Sequence, residues 1–290
     1  CIPAHNEDKT ICSTLESIIS QDFLRKSKYE ILVCENGSID TTKEKVQEFS
    51  QNHENIRLII SQIKGKSHAW NLLMDSAQYN FRVFSDADVF LTENSIESLY
   101  SSLIEGRIIV GATLFPFFED FPMSKRLLYR FVYPERYQYW LTGQLYATDA
   151  SKLRERIHKK GFDKMPEIIA DDMWLSAIAG ESLYIDRNAV AYYRPPSLND
   201  LKLVERRAIR AKKEMDEIFQ SHPQEHELFH HIKNKYSEFI NTHGFLNRIG
   251  LFARLPFIMH ARYHARKSLN SGNCDWETAS STKLPILHNF

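Results

Sequence analysis

Over the first 115 residues, short apolar runs alternate with stretches whose apolar positions recur at helical spacing. An apolar piece at 1–4 leads to helical periodicity near 8–20, then YEILVCE (29–35), a helix near 40–51 and IRLIIS (56–61). A helix near 66–77, FRVFSD (81–86), a helix near 94–104 and RIIVGATLF (107–115) continue the alternation. Strands joined by helices imply right-handed crossovers, and so an α/β fold with a mostly parallel, Rossmann-like sheet flanked by helices. The opening CIPAHNE starts inside an apolar segment without a methionine, so the first strand is expected to be truncated at the N-terminus.

Beyond residue 115 the alternation fades. The stretch from Phe115 to Gln144 is dense in aromatics and suits a helix and loops that either line a pocket or form ordinary core. GQLYATDASKLRE predicts a strand and a capped helix, IIADDMWLSAIAG a turn and a helix, and LYIDRNAVAYYRPP a strand pair stopped by prolines. Past residue 200 the pattern is helical and locally basic. The expected division is a catalytic domain over 1–200 and a helical C-terminal extension over 201–290.

Composition changes the picture only by exclusion. With 290 residues, 43% of them hydrophobic, the chain is long enough for one large core. Basic and acidic side chains number 37 each, which gives no general nucleic-acid footprint. The four cysteines, Cys1, Cys12, Cys34 and Cys274, form no CxxC pair, which fits a reducing compartment. No apolar run approaches the ~20 residues needed to span a bilayer. The expectation is a cytoplasmic protein, with peripheral contact to the cytoplasmic membrane face as its one membrane option.

Candidate chemistry gathers where strands end, the edge at which such sheets bind ligands. In FSDADVF, Asp86 and Asp88 stand at alternate positions that would share a face. Paired oxygen donors suit magnesium or manganese, which take further ligands from phosphates and water. Alternatively, the two acids cap a following helix. CENGSIDTT holds Glu35, a glycine turn and an Asp–Thr cap, a cradle for a base or ribose or simply a turn. In QIKGKSHAWN, Lys64 and Lys66 flank Gly65 ahead of a helix, where N–H groups and cations favour anions. Asp171 and Asp172 fit either a catalytic pair or a helix N-terminus favoured by the dipole.

Taken in order, IPAHNE, VCENGSIDTT, KGKSHAWN, FSDADVF, TGQLYATD and ADDMWLS resemble glycosyltransferase family 2, inverting enzymes of GT-A fold that use nucleotide-diphospho sugars. The resemblance covers roughly residues 1–215. It implies that Pro3, Ala4, His5 and Glu7 line the nucleotide pocket, that Glu35 meets the base, and that Lys66 lies beside the nucleotide. It implies that Asp88, with Asp86, binds Mn2+ or Mg2+, and that Asp172, beside Asp171, is the general base taking the acceptor hydroxyl's proton. A UDP-sugar donor and a glycan or lipid acceptor follow from the same likeness.

Three positions depart from the family pattern. His5 stands where an aromatic such as Tyr is frequent, and Glu35 where Asp is usual. Arg207 and Arg210 fit the arginine part of a (Q/R)xxRW segment and are candidates to reach the diphosphate, but Ala211 replaces the tryptophan, which speaks against a processive polysaccharide synthase. The stretch 244–267 carries four arginines, one lysine and no acid, suiting an interfacial helix or one packed on the catalytic domain. His226 and His230 have helical spacing for zinc but no evident further ligand. Rival readings are a sugar-phosphate nucleotidyltransferase, disfavoured because PAHNED lacks a phosphate-loop glycine, and a catalytically silent sugar-nucleotide-binding protein.

Overall fold

The computed structural model describes residues 1–132, 141–197, 200–220, 259–260, 262–263, 282–284 and 286. A parallel sheet is built from β1 (Ile2–Ala4), β2 (Ile31–Asn36) and β3 (Ile56–Ser61), with β2 in the middle. Every residue of β2 is buried, whereas the edge strand β3 mixes buried and exposed positions. Such near-continuous burial is what a strand covered on both faces requires. The helices between them are α1 (Ile11–Ile19), the short α2 (Asp22–Arg25) and α3 (Thr42–Gln51). α1 turns Ile11, Leu15 and Ile18 to the core at helical spacing.

The second sheet has the order β4 (Phe81–Ser85), β7 (Leu145–Asp149), β6 (Ile109–Pro116), β8 (Leu183–Tyr193), β5 (Val89–Leu91). β6 and β8 run parallel; β4 and β6 run antiparallel to β7, and β5 antiparallel to β8. The two sheets join at β1 and β4, where the Cys1 amine donates to Val83 O and Ser85 N donates to Cys1 O. The α/β architecture expected from the sequence is present, but the purely parallel sheet holds three strands, and FRVFS and IVGATLFP belong instead to a second, mixed wing. Around these strands lie α4 (Lys66–Ser76), α5 (Ser95–Ile104), α6 (Met123–Val132), α7 (Ala150–Lys159), α8 (Asp171–Ala179) and α9 (Leu201–Gln220).

One predicted element came out differently, and one strand was not predicted at all. LYIDRNAVAYY forms one strand rather than a pair; a register shift against β6 between Ala112 and Thr113 absorbs Arg187, Asn188 and Ala189, the first two exposed and the third buried. The bulge restores pairing without ending the strand. β5, directly after the DAD turn, was not foreseen, because three residues are too short to show alternation.

Stacked rings join the wing to α4. Phe84 of β4 lies between Trp70 of α4 and Tyr146 of β7, with centroids 5.4 and 5.3 Å apart. Trp70 Nε1 donates to Tyr146 Oη at 2.7 Å, satisfying both polar atoms inside the core. Trp174 of α8 is fully buried edge-on to Phe162, and Ala211 and Met215 of α9 join the same cluster. The first helix of the C-terminal region is therefore packed into the main core. Among the described residues, no helix is long and apolar enough to cross a membrane.

Candidate active site

The DAD turn is held from two sides. Thr14 of α1 points its hydroxyl at the carbonyls of Ala87 and Val89, both at 3.0 Å. Asp86 N donates to Gln144 O at 2.7 Å, tying the turn to the residues leading into β7. β5 then follows at once, and α5 begins only at Ser95 with Asn94 at its cap. Asp86 and Asp88 therefore do not cap that helix.

Lys66, the first residue of α4, bridges Asp86 Oδ1 at 2.7 Å and Asp171 Oδ2 at 3.2 Å, and donates to Gly143 O at 3.1 Å. One ammonium thus links the DAD turn, the start of α8 and the loop before β7. Burial alone would lower its pKa, but Asp171 and Asp86 outweigh that and raise it, so Lys66 stays charged. The approach depends on Gly143, whose φ is +70° and where a Cβ would lie 2.9 Å from Asp172 Cβ.

Lys66, Asp86 and Asp171 line a cavity of about 520 Å³ with Pro3, His5, Glu7, Asp88, Asp172 and Arg207. Four of its carboxyls, Glu7, Asp86, Asp88 and Asp172, resist ionisation. Burial raises Asp172 to about 7, aided by the charge of Asp171, and Asp172 Oδ1 accepts from Met173 N at 2.8 Å. Burial likewise raises Asp86 to about 6, with Lys66 opposing and Asp88 reinforcing. Glu7 is raised to about 8 by burial and by Asp88, while Asp88 is itself raised by burial against the pull of Lys283 and Lys66. Carboxylates crowded this way gain from an additional cation.

The remaining sequence candidates fall into two groups. His5 is fixed by Nδ1 donating to Asn36 O at 3.0 Å and by Nε2 facing Asn6 Nδ2 at 3.2 Å; burial lowers its pKa, so it is a neutral ring with its proton on Nδ1. Ala4, Glu35 and Arg210 are not brought to the cavity wall. Ala4 is fully buried in the core, Glu35 accepts the Ser38 amide within its own turn, and Arg210 pairs with Glu214 at 3.4 Å. His226, His230 and nearly all of 244–267 lie outside the described residues.

Several wall residues escaped the sequence reading. Asn36 and Thr142 line the cavity, and Asn36 Oδ1 and Thr142 Oγ1 are buried without a hydrogen-bond partner among the described residues, as expected of groups awaiting a polar ligand. Arg194 is 4% exposed and grips Asp120 with two hydrogen bonds, at 3.2 and 2.6 Å. Lys283 and Thr282 come from far beyond the family-like motifs, and no local signal in the sequence marks them.

The hard oxygen donors Asp86 and Asp88 fit a divalent cation, and the raised carboxylate pKa values show where its charge would be welcome. Among the described residues, no group of three or more His, Cys, Asp or Glu side chains is arranged to hold a metal unaided. A cation here would complete its shell with water or ligand phosphates, as magnesium commonly does.

Comparison with known proteins follows the same lines. The description Glycosyl transferase family 2 matches residues 1–162. UDP-Glc:alpha-D-GlcNAc-diphosphoundecaprenol beta-1,3-glucosyltransferase WfgD of Escherichia coli is 31% identical over 108 residues, 37% of this chain and 41% of that protein. Glycosyltransferase AglE of Haloferax volcanii is 36% identical over 88 residues, 30% of this chain and 29% of that protein. The chain thus spans less than half the length of these curated relatives. Among solved structures, mannosyltransferase PcManGT from Pyrobaculum calidifontis, in complex with GDP-Man and Mn2+, aligns with a TM-score of 0.58 and 20% identity, over 92% of this chain and 79% of that one. TarS 1–349 of S. aureus, in complex with UDP-GlcNAc, gives 0.55 and 15%, over 90% and 78%. Both likenesses concern the fold, which is GT-A-like.

Proposed function

The chain belongs to glycosyl transferase family 2, and from that premise we propose that it is an inverting glycosyltransferase moving a sugar from a nucleotide-diphospho donor, a UDP-sugar first, to a hydroxyl on a glycan or lipid. The observation that carries this is the Lys66 bridge between Asp86 and Asp171, which draws the DAD turn and the DD helix start into one cavity. Either pair alone is explained by turns and caps. Their junction inside a cavity of about 520 Å³ is not.

Asp172 is the base in this reading. A carboxyl raised to about 7 is near the ambient pH, where a base both exists ionised and attracts a proton strongly. Asp171 keeps that affinity high through its charge, while Lys66 and the Met173 amide oppose it and hold the pair in place. Asp88 and Asp86 would hold a manganese or magnesium ion, which when bound supplies positive charge to the departing diphosphate. Arg207 on the cavity wall adds a second positive group on the phosphate side. His5, a neutral ring, offers a stacking face to the base. We place the catalytic unit at 1–200 and assign the helical extension 201–290 to walling the donor side through α9.

Support for a UDP or GDP donor is the nucleotide sugar bound by the two structural neighbours, and support for a lipid-linked acceptor is the name of the E. coli relative. Calorimetric titration of UDP and of GDP, with and without Mn2+, into the full chain and its Asp88→Asn variant tests the reading. Manganese-dependent binding of one nucleotide, lost in the variant, is the expected result. Absence of binding for both would overturn it. Turnover surviving in Asp172→Asn would overturn the base assignment, and loss of turnover with donor binding intact separates an enzyme from a silent sugar-nucleotide binder.

A further inference from the structure

Lys283 enters the donor cavity from the far end of the described chain. Its ammonium donates to His5 O at 2.7 Å, to Asn6 O at 2.8 Å and to Glu7 Oε1 at 2.5 Å. A lysine has three N–H donors, and all three are spent here. The loop that receives them is shaped for convergence: Asn6 has φ of 55°, the one positive value among the described non-glycine residues. The conformation is held by Asn6 N donating to Ser38 Oγ at 3.0 Å and Ile39 N donating to Asn6 Oδ1 at 2.8 Å. Two main-chain carbonyls and a carboxylate thus face one point. That is an all-oxygen donor set of the kind hard divalent cations take, and an ammonium occupies it.

The neighbouring groups extend the lobe. The Thr282 side chain hydrogen-bonds Asp88, and Lys283 is the strongest positive influence on that carboxyl. Arg194, clamped by Asp120, donates Nε to Leu284 O at 3.2 Å and so pins the strap from behind. The acids of the cavity therefore divide between two lysines: Asp86 and Asp171 hold Lys66, while Glu7 holds Lys283 with Asp88 beside it.

We propose that Glu7, with the carbonyls of His5 and Asn6 and with Asp88 alongside, forms a cation site in which the Lys283 ammonium is the resident ion, and that a divalent cation and Lys283 exclude one another there. This rests on the donor-site reading for its role, since metal with nucleotide would bind by displacing the Thr282–Leu284 strap. It assigns Glu7 to the cation rather than to the nucleotide alone. Two like charges within contact of the same carboxylate repel by several RT in a partly buried site, so both do not sit there together.

Manganese binding, read by the electron paramagnetic resonance signal of the free ion, tests the exclusion without turnover. In the full chain, Lys283→Met keeps the length of the side chain and removes its charge. The variant is expected to bind Mn2+ at least about tenfold tighter than the unmodified protein. The gain is expected to vanish when Glu7→Gln is combined with it. Unchanged or weaker Mn2+ binding by Lys283→Met would overturn the proposal, as would a gain that survives Glu7→Gln. A second measurement needs no variant: acylation of the Lys283 amine, followed by mass spectrometry, is expected to be slow in the free protein and fast with UDP and Mn2+. Continued protection while calorimetry reports UDP binding would also overturn it. Failure of UDP to bind at all counts against the glycosyltransferase reading instead, and the arm with Mn2+ alone still decides the exclusion.

Discussion

Removing the Asp172 charge while keeping its shape isolates what the residue does. Asp172→Asn is expected to leave donor affinity within about threefold and to lower kcat by a factor on the order of 10² or more, the usual scale for loss of a positioned base. In the unmodified protein, kcat/KM is expected to fall as pH drops through about 7, where Asp172 takes up its proton. Asp171→Asn removes the neighbouring charge that helps keep this pKa high, so the acidic limb should move to lower pH. A limb that stays in place would locate the base elsewhere. Gly143 offers a second residue-scale test. Its φ of +70° and the 2.9 Å approach of a Cβ to Asp172 mean that Gly143→Ala should displace the α8 start, raising the acceptor KM and costing about 1–3 kcal/mol of stability in chemical denaturation. The glycine was visible in TGQLYATD, but its reason was not, because the contact is with a residue 29 positions away.

At the scale of elements, the position of the DAD turn depends on α1, a helix that lies outside the cavity wall. Thr14 lies on α1, and its hydroxyl proton is shared by the carbonyls of Ala87 and Val89. Thr14→Val keeps the volume and removes the donor, leaving two buried acceptors short of a partner. A destabilisation of about 1–3 kcal/mol is expected, together with weaker Mn2+-dependent UDP binding in calorimetry. Thr14→Ser, which retains the hydroxyl, should restore most of the affinity. Elements like α1 and α4 were legible because each repeats a period over enough residues to stand above chance, and β2 because it is one short apolar run between polar stretches. β5 was not, being three residues long, and the bulge in β8 was read as a break because Asp186, Arg187 and Asn188 look like a turn. What they share is a cause outside the segment: β5 exists because β8 supplies its partner at Val89 to Leu91.

For the molecule as a whole, the cavity concentrates groups whose protonation differs between the folded and unfolded chain. Glu7, Asp86 and Asp172 rise from ordinary values of 4.5, 3.8 and 3.8 to about 8, 6 and 7. A carboxyl raised by folding is held protonated more strongly by the native state. Its contribution to stability is therefore fully present below pH about 4 and is lost as pH rises through the folded value. The lowered pKa of His5 acts in the opposite sense, so the total change with pH is a sum of opposed parts. A difference between variants isolates the cavity. Asp172→Asn carries no charge at any pH, so relative to the unmodified protein it should gain stability progressively between pH 5 and 8, by at least about 1 kcal/mol at the upper end. Thermal unfolding of both proteins at several pH values, without added metal, measures this directly. A constant difference across that range would mean that Asp172 is already ionised at pH 5. Adding Mn2+ and UDP at pH 8 should raise the melting temperature of the unmodified protein, because ligands that bind only the folded state stabilise it by mass action. The order of motifs in the sequence was enough to place Glu7 and the DAD acids after strand ends, but the structure divides those strands between two sheets and adds the acids at the start of α8. How their charge is balanced depends on Lys283, which reaches them from 195 positions beyond Asp88 and could be found only by folding the chain.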